Sequence, residues 1–279
     1  MPTATAVTIP GLKQMKADAQ KIVGVVAWDY QIAQIVDRAG VDIVSVGDTV
    51  GVNLWGHSTP LQVTMAEMIT VCKAVRRGVK RALLSCDFPF GPMQQGTAAA
   101  LRAAIRLVKE AGADAIKLDG AAEFPQTVEA LAKAGIPVFA QFGITPQTAL
   151  QYGIAYGAAS GPGAQASPAM TPRLIEEATR LENAGACLLD FTNSGPVAGP
   201  AVVKAVRIPV LGGFGGGPWL DGRMRMAHAA IGYAATSVDS RLESYANVAR
   251  IALDAISAYA ADVRAARQIK GAPPSAPAP

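Results

Sequence analysis

Three short apolar runs each close on a carboxylate: Ile43–Gly47 (IVSVG) on Asp48, Leu83–Cys86 (LLSC) on Asp87, and Ala115–Leu118 (AIKL) on Asp119. Neighbouring strands of a sheet lie about 4.8 Å apart, so if these runs are adjacent parallel strands their ends bring the three acids within reach of one point. Oxygen-only ligation of that kind suits a hard cation such as Mg²⁺ better than zinc, and no Cys/His set with ligand spacing competes for it. Each acid taken alone could instead cap the helix that follows. Three at equivalent places argue for a shared role. Lys117 stands two residues before Asp119, so strand alternation puts both on one face, the lysine a layer deeper. A lysine inside a fold needs an anionic partner, which a substrate carboxylate or an interior acid such as Asp190 would supply. Thr49, next to the first acid, offers a hydroxyl and a backbone N–H to an anion.

Positioning these residues falls to a regular alternation. Short β-branched or apolar runs at 22–28, 42–47, 82–87, 115–119, 137–143, 187–192 and 209–213 are each followed by a helical pattern. Several helices end in Ala-Gly or Arg-Gly (Gly40, Gly78, Gly112, Gly135, Gly185), as a left-handed C-cap requires. Apolar strands alternating with helices imply a covered parallel sheet, and seven such units over some 200 residues predict an α/β fold, a (β/α)₈ TIM barrel. Its eighth unit is degenerate, with the best strand candidate at Arg223–Ala230. An open doubly wound sheet is the alternative, but no Gly-x-Gly-x-x-Gly loop follows the first strand. Long loops are expected at Gly51–Thr64 and Ala155–Pro172, both after strand ends where barrel enzymes build their lids. Residues 1–270 read as a single domain and Gly271–Pro279 (GAPPSAPAP) as a disordered tail.

Composition narrows the classes. The chain has 279 residues, 51% of them hydrophobic and 16% charged, too apolar for disorder. Its net charge of +4 is scattered, without a basic block or interleaved aromatics, so nucleic acid is not an expected partner. No run approaches the roughly 18–20 apolar residues of a membrane span and no leader is evident at the N-terminus, so no membrane is expected and a cytoplasmic location is. Cys72, Cys86 and Cys187 are an odd, unclustered set in apolar segments and read as reduced core residues. His57 reads as a lid or a surface-loop residue, and His228 as packed in a helix or the last strand. The glycine run 212–217 allows close backbone approach to a ligand at the end of strand 7.

The phrases Ala27-Trp28-Asp29-Tyr30, Val46-Gly47-Asp48-Thr49-Val50-Gly51, Gly56-His57-Ser58-Thr59, Ala74-Val75-Arg76-Arg77-Gly78, Asp87-Phe88-Pro89-Phe90, Ile116-Lys117-Leu118-Asp119-Gly120 and Gly143-Ile144-Thr145-Pro146-Gln147 resemble, in order and spacing, those of ketopantoate hydroxymethyltransferases, of the phosphoenolpyruvate mutase and isocitrate lyase superfamily. The resemblance covers roughly residues 12–232. It implies a (β/α)₈ barrel, Mg²⁺, a 2-oxo acid held by its carboxylate and ketone, and a one-carbon unit passed from 5,10-methylenetetrahydrofolate to the enolate of 3-methyl-2-oxobutanoate, on the way to pantothenate. It further implies metal ligation by Asp48, Asp87 and Asp119, substrate contacts from Thr49, Asp87, Lys117 and Gln141, and assembly as a homo-oligomer.

The chain departs from the family pattern at several of these places. Thr49 stands where the family has a serine, Asp119 replaces a glutamate, and Gln141 replaces a histidine. Thr192 falls where the family carries its catalytic glutamate, and a threonine hydroxyl is too weakly basic to take a carbon-bound proton. Asp190, two residues earlier on the same strand face, is the candidate base, acting through water or Thr192; its alternative is a purely structural pairing with Lys117. Residues Ala234–Tyr245 also replace a basic, aromatic phrase. Two further readings follow: a folate-independent 2-oxo acid lyase or aldolase, and a barrel that keeps a ligand site without catalysis.

Overall fold

A computed structural model describes residues 5–154, 165–241 and 243–271. Eight parallel strands close into a barrel in sequence order. They are β1 (Ile22–Val26), β2 (Ile43–Val46), β3 (Leu83–Asp87), β4 (Ala115–Leu118), β5 (Val138–Gly143), β6 (Leu188–Thr192), β7 (Val210–Gly212) and β8 (Gly222–Met226). The first seven lie inside the segments expected from the sequence and are shorter by one or two residues. Pro137 and Pro209 fall just outside their strands, as residues that cannot donate to a ladder should. The eighth differs: its strand ends at Met226 and the alanine-rich remainder of Arg223–Ala230 is helical.

The helices are α1 (Ile9–Ala17), α2 (Tyr30–Arg38), α3 (Val50–Trp55), α4 (Met65–Gly78), α5 (Thr97–Arg106, continued by a π turn over Leu107–Ala111), α6 (Pro125–Lys133), α7 (Thr171–Asn183), α8 (Ala198–Ala205), α9 (Ala227–Ile231) and α10 (Val248–Arg264). The expected loop Gly51–Thr64 is largely ordered structure. It contains most of α3, halted by Gly56 in the left-handed region, and a 3₁₀ turn over Pro60–Gln62. Thr64 then caps α4 through a reciprocal box with Glu67. Of the second expected loop, residues 155–164 lie outside the described set; the part that is described holds a 3₁₀ turn, Pro168–Met170, and the start of α7. The tail 272–279 lies outside it as well.

Four of the five helix-ending glycines have positive φ, as C-caps do: Gly40, Gly112, Gly135 and Gly185. Gly78 does not. It is the last residue of α4, where a Cβ would sit 2.7 Å from Ala33 Cβ and 2.8 Å from the Tyr30 carbonyl, so its service is close packing against α2.

Two compact units divide between Arg225 and Met226. In the first, an apolar layer formed by Ile22, Ile43, Leu83, Ala115, Phe139, Leu211 and Met224 fills the N-terminal half of the barrel, with Leu12 of α1 packed on it. Register then sets the layer above. Ser45 lies opposite Ser85, Asp87 opposite Lys117, Gln141 opposite Asp190, and Gly143 opposite Thr192, so polar side chains gather at the C-terminal ends. All three cysteines are buried. In the second unit, α9 carries buried His228, whose ring meets Tyr233 edge-on at 4.7 Å, and α10 exposes Ile251, Ile256 and Tyr259. No helix among the described residues is long and apolar enough to cross a membrane.

Candidate active site

Lys117, near the end of β4, organises the polar layer. Its ammonium lies 3.4 Å from Asp87 Oδ2, 3.3 Å from Asp190 Oδ2, and donates to Gln141 Oε1 at 2.6 Å. Three donors thus meet three acceptors, and the lysine is 8% exposed. Burial alone would lower its pKa; the surrounding carboxylates, Asp87 and Asp190 foremost, outweigh that and hold it charged. Pairing with Asp190, one of the two partners considered from sequence, is therefore present. The second oxygen of Asp190 accepts the Gly213 N–H at 3.1 Å, so the glycine run after β7 approaches one of the protein's own acids.

A lysine can only donate, which fixes the orientation of the next group. Gln141 must turn its carbonyl to Lys117, leaving its amide to donate to Thr192 Oγ1 at 2.9 Å. Thr192 is an acceptor in this chain of bonds, and its own proton stays on the hydroxyl. On the other side, Ser85 donates to Ser45 Oγ at 2.8 Å and Ser45 in turn donates to Asp87 Oδ1 at 3.5 Å.

The remaining acids are held by the segment after β5. Gln147 donates its side-chain amide to Asp48 Oδ2 at 2.8 Å and to the Phe88 carbonyl at 3.1 Å. Its backbone N–H and the Thr145 hydroxyl both donate to Asp119. None of the three strand-end acids caps a helix, which removes that alternative: the caps of α3, α5 and α6 are Thr49, Gly96 and Phe124. Burial, with repulsion from Asp87 and Asp119, pushes the Asp48 carboxyl well above its usual range. Burial likewise raises Asp87 against the pull of Lys117. Asp119 is pushed up by burial to about 6. The acids share one field without converging on one point: among the described residues no three His, Cys, Asp or Glu side chains are placed to hold a metal as they stand.

Buried Thr49 begins α3 without a side-chain capping bond. His57 follows α3, its ring edge-on to Trp55 at 5.8 Å, with Nδ1 buried and lacking a hydrogen-bond partner among the described residues. Thr145, Gln147, Ser45 and Ser85 were not singled out as functional from sequence. The signals were there, as serines inside apolar runs and as polar residues in the phrase Gly143–Gln147.

A raised acid has a stability consequence whose sign is definite. Between Asp119's ordinary value of 3.8 and about 6 the folded state binds more protons than the unfolded chain, so this group's contribution falls as pH rises through that window, by at most about 3 kcal/mol. Thermal unfolding of the cation-free protein is expected to show Asp119→Asn gaining stability relative to wild type between pH 4 and pH 7. A difference that stays flat across that range would contradict the assignment.

A model of the family described as ketopantoate hydroxymethyltransferase matches residues 6–268. A 3-methyl-2-oxobutanoate hydroxymethyltransferase of Gloeobacter violaceus is 38% identical over 264 residues, covering 92% of this chain and 96% of that protein. Its namesake from Salinibacter ruber is 36% identical, covering 95% and 96%. Among solved structures, a phosphonopyruvate hydrolase in complex with oxalate and Mg²⁺ superposes with TM-score 0.59 at 15% identity, over 96% of this chain and 92% of that one. A 2,3-dimethylmalate lyase of the PEP mutase/isocitrate lyase superfamily gives 0.57 at 12%, over 95% and 89%. At such identities the structural likeness speaks to the barrel.

Proposed function

The chain belongs to the ketopantoate hydroxymethyltransferase family, a family of transferases, and from that premise we propose that it transfers a hydroxymethyl group from 5,10-methylenetetrahydrofolate to a 2-oxo acid, 3-methyl-2-oxobutanoate or a near relative, with the help of Mg²⁺. The observation that carries the reading is the set of buried Asp48 and half-buried Asp87 and Asp119, with buried Lys117 against Asp87. A buried carboxyl raised by two neighbouring acids, the three offering oxygen donors only, fits a hard divalent cation. Asp48 and Asp87 would hold it, and Asp119, engaged by Thr145 and Gln147, would act through water. When bound, such a cation polarises the ketone and makes the neighbouring C–H acidic. Thr49 and Gln141 would contact the substrate. Lys117 would hold its carboxylate, exchanging part of its present pairing for it.

Asp190 would take the C3 proton. It is 3% exposed, on the inward face of β6, and the Gly213 N–H keeps one oxygen oriented. The same reading takes the protein as a cytoplasmic homo-oligomer, with the exposed Ile251, Ile256 and Tyr259 of α10 available to an interface. One observation favours a second reading, a folate-independent 2-oxo acid lyase or aldolase: Thr192 brings a hydroxyl, already accepting from Gln141, to the position where the family resemblance implies a carboxylate. Incubating the purified protein with Mg²⁺, methylenetetrahydrofolate and a panel of 2-oxo acids separates the two. Loss of the folate with formation of a hydroxymethylated acid is expected, and C–C bond chemistry indifferent to folate would overturn the transferase reading.

Removing one ionic partner from a desolvated site costs about 2–5 kcal/mol. Lys117→Met is accordingly expected to weaken 2-oxo acid binding, measured calorimetrically with Mg²⁺ present, by at least about 30-fold. A dissociation constant within a factor of two of wild type would remove Lys117 from the substrate site.

A further inference from the structure

Directly after Thr192 the backbone enters the left-handed region at Asn193, with φ +55°. The residue is fully buried. Asparagine tolerates this conformation better than most side chains, yet for a residue other than glycine it persists only where the surroundings hold it. Asn193 is held from three directions. Its N–H donates to the Phe214 carbonyl at 2.6 Å, its carbonyl accepts from the Ala166 N–H at 2.7 Å, and its side-chain amide donates to the Ile144 carbonyl at 3.2 Å. Gly215, itself at φ +61°, completes the seat: a Cβ there would fall 2.3 Å from Asn193 Oδ1.

Two of these attachments are each one residue from a group that holds a site acid. Ile144 precedes Thr145, which with Gln147 grips Asp119 and Asp48. Phe214 follows Gly213, whose N–H holds Asp190. The segments after β5 and β7 have no strand ladder of their own at these points, so their register against β6 depends on what ties them. We propose that Asn193 is a positioning residue: it locks the segments after β5 and β7 to the end of β6, and through Thr145, Gln147 and Gly213 sets where Asp48, Asp119 and Asp190 stand. The locking rests on geometry alone, while its consequence for cation binding rests on the proposed function.

Asn193→Gly tests this with little backbone penalty, since glycine adopts positive φ freely. Asn193→Asp keeps the size and the tolerance of the left-handed region, replaces the amide donor to Ile144 by a carboxyl oxygen, and serves if the glycine variant does not fold. Amide hydrogen exchange is read at residues 144–148 and 212–216, against the barrel strands as reference, alongside Mg²⁺ affinity by calorimetry. Exchange over 144–148, which loses the side-chain bond to Ile144, is expected to rise at least tenfold, and that over 212–216, still tied through the main chain of residue 193, by less, while β2 to β5 keep their protection and Mg²⁺ affinity falls tenfold or more. Unchanged exchange over 144–148 would overturn the lock, and a loosened segment with wild-type Mg²⁺ affinity would overturn the positioning role. Absence of Mg²⁺ binding by wild type would count against the proposed function alone, leaving the exchange data to decide on Asn193.

Discussion

In an Asp48→Asn/Asp87→Asn double variant, Mg²⁺ binding by calorimetry is expected to weaken at least about 100-fold, since changes in the outer shell of a metal site alone cost 10–100-fold. Asp119 cannot substitute for the missing pair, because the Thr145 hydroxyl and the Gln147 N–H already claim its oxygens. The cation-free variant should at the same time be no less stable than wild type. Burial keeps both carboxyls raised, so the wild-type fold bears a cost for ionising them that the isosteric amides do not carry. Lys117 would lose Asp87 but keep Asp190 and Gln141. Weaker cation binding together with unimpaired stability is the signature of acids kept for a ligand rather than for the fold. Undiminished Mg²⁺ affinity would place the cation elsewhere.

The second large effect concerns proton removal. Asp190→Asn is expected to slow exchange of the substrate's C3 hydrogen into deuterated water by about 10²–10⁴, the usual cost of losing a general base. The amide would still accept from Gly213 through its oxygen, and Lys117 would keep Asp87, so cation and 2-oxo acid affinities should move far less than the exchange rate. Thr192→Glu would put a carboxylate beside the Gln141 amide donor, at the position where the family resemblance implies one. It is expected to raise exchange on 3-methyl-2-oxobutanoate. If neither substitution changes the rate, the proton leaves by a group outside β6.

The strand-end positions of the acids were legible because a parallel barrel turns sequence alternation into geometry, although the three acids do not converge on one point. Asp87 and Lys117 lie opposite each other in register, and Gln141 opposite Asp190, so parity arguments carried directly into the polar layer. What parity could not reach were contacts made by segments without a ladder. Gln147 spans from beyond β5 to Asp48, and the Gly213 N–H turns to Asp190, through backbone paths that no period describes. The glycine run was legible as a place of close approach, but what it approaches is Asp190 and Asn193. Gly78 misled for a related reason: a glycine at a helix end serves packing or a left-handed turn equally well on sequence grounds. The failed part of the eighth strand, where AHAAI forms α9, reflects a short apolar run whose length does not separate strand from helix.

In the proposed function this site ionises a 2-oxo acid at C3 with a divalent cation and hands the carbon a one-carbon unit. Its most direct test is proton NMR of 3-methyl-2-oxobutanoate in deuterated water with wild-type protein, with and without Mg²⁺ and before any folate is added. Loss of the C3 proton signal that requires both protein and Mg²⁺, and that Asp190→Asn suppresses, is the expected result. Persistence of that signal under conditions where calorimetry shows both Mg²⁺ and the 2-oxo acid bound would overturn this chemistry.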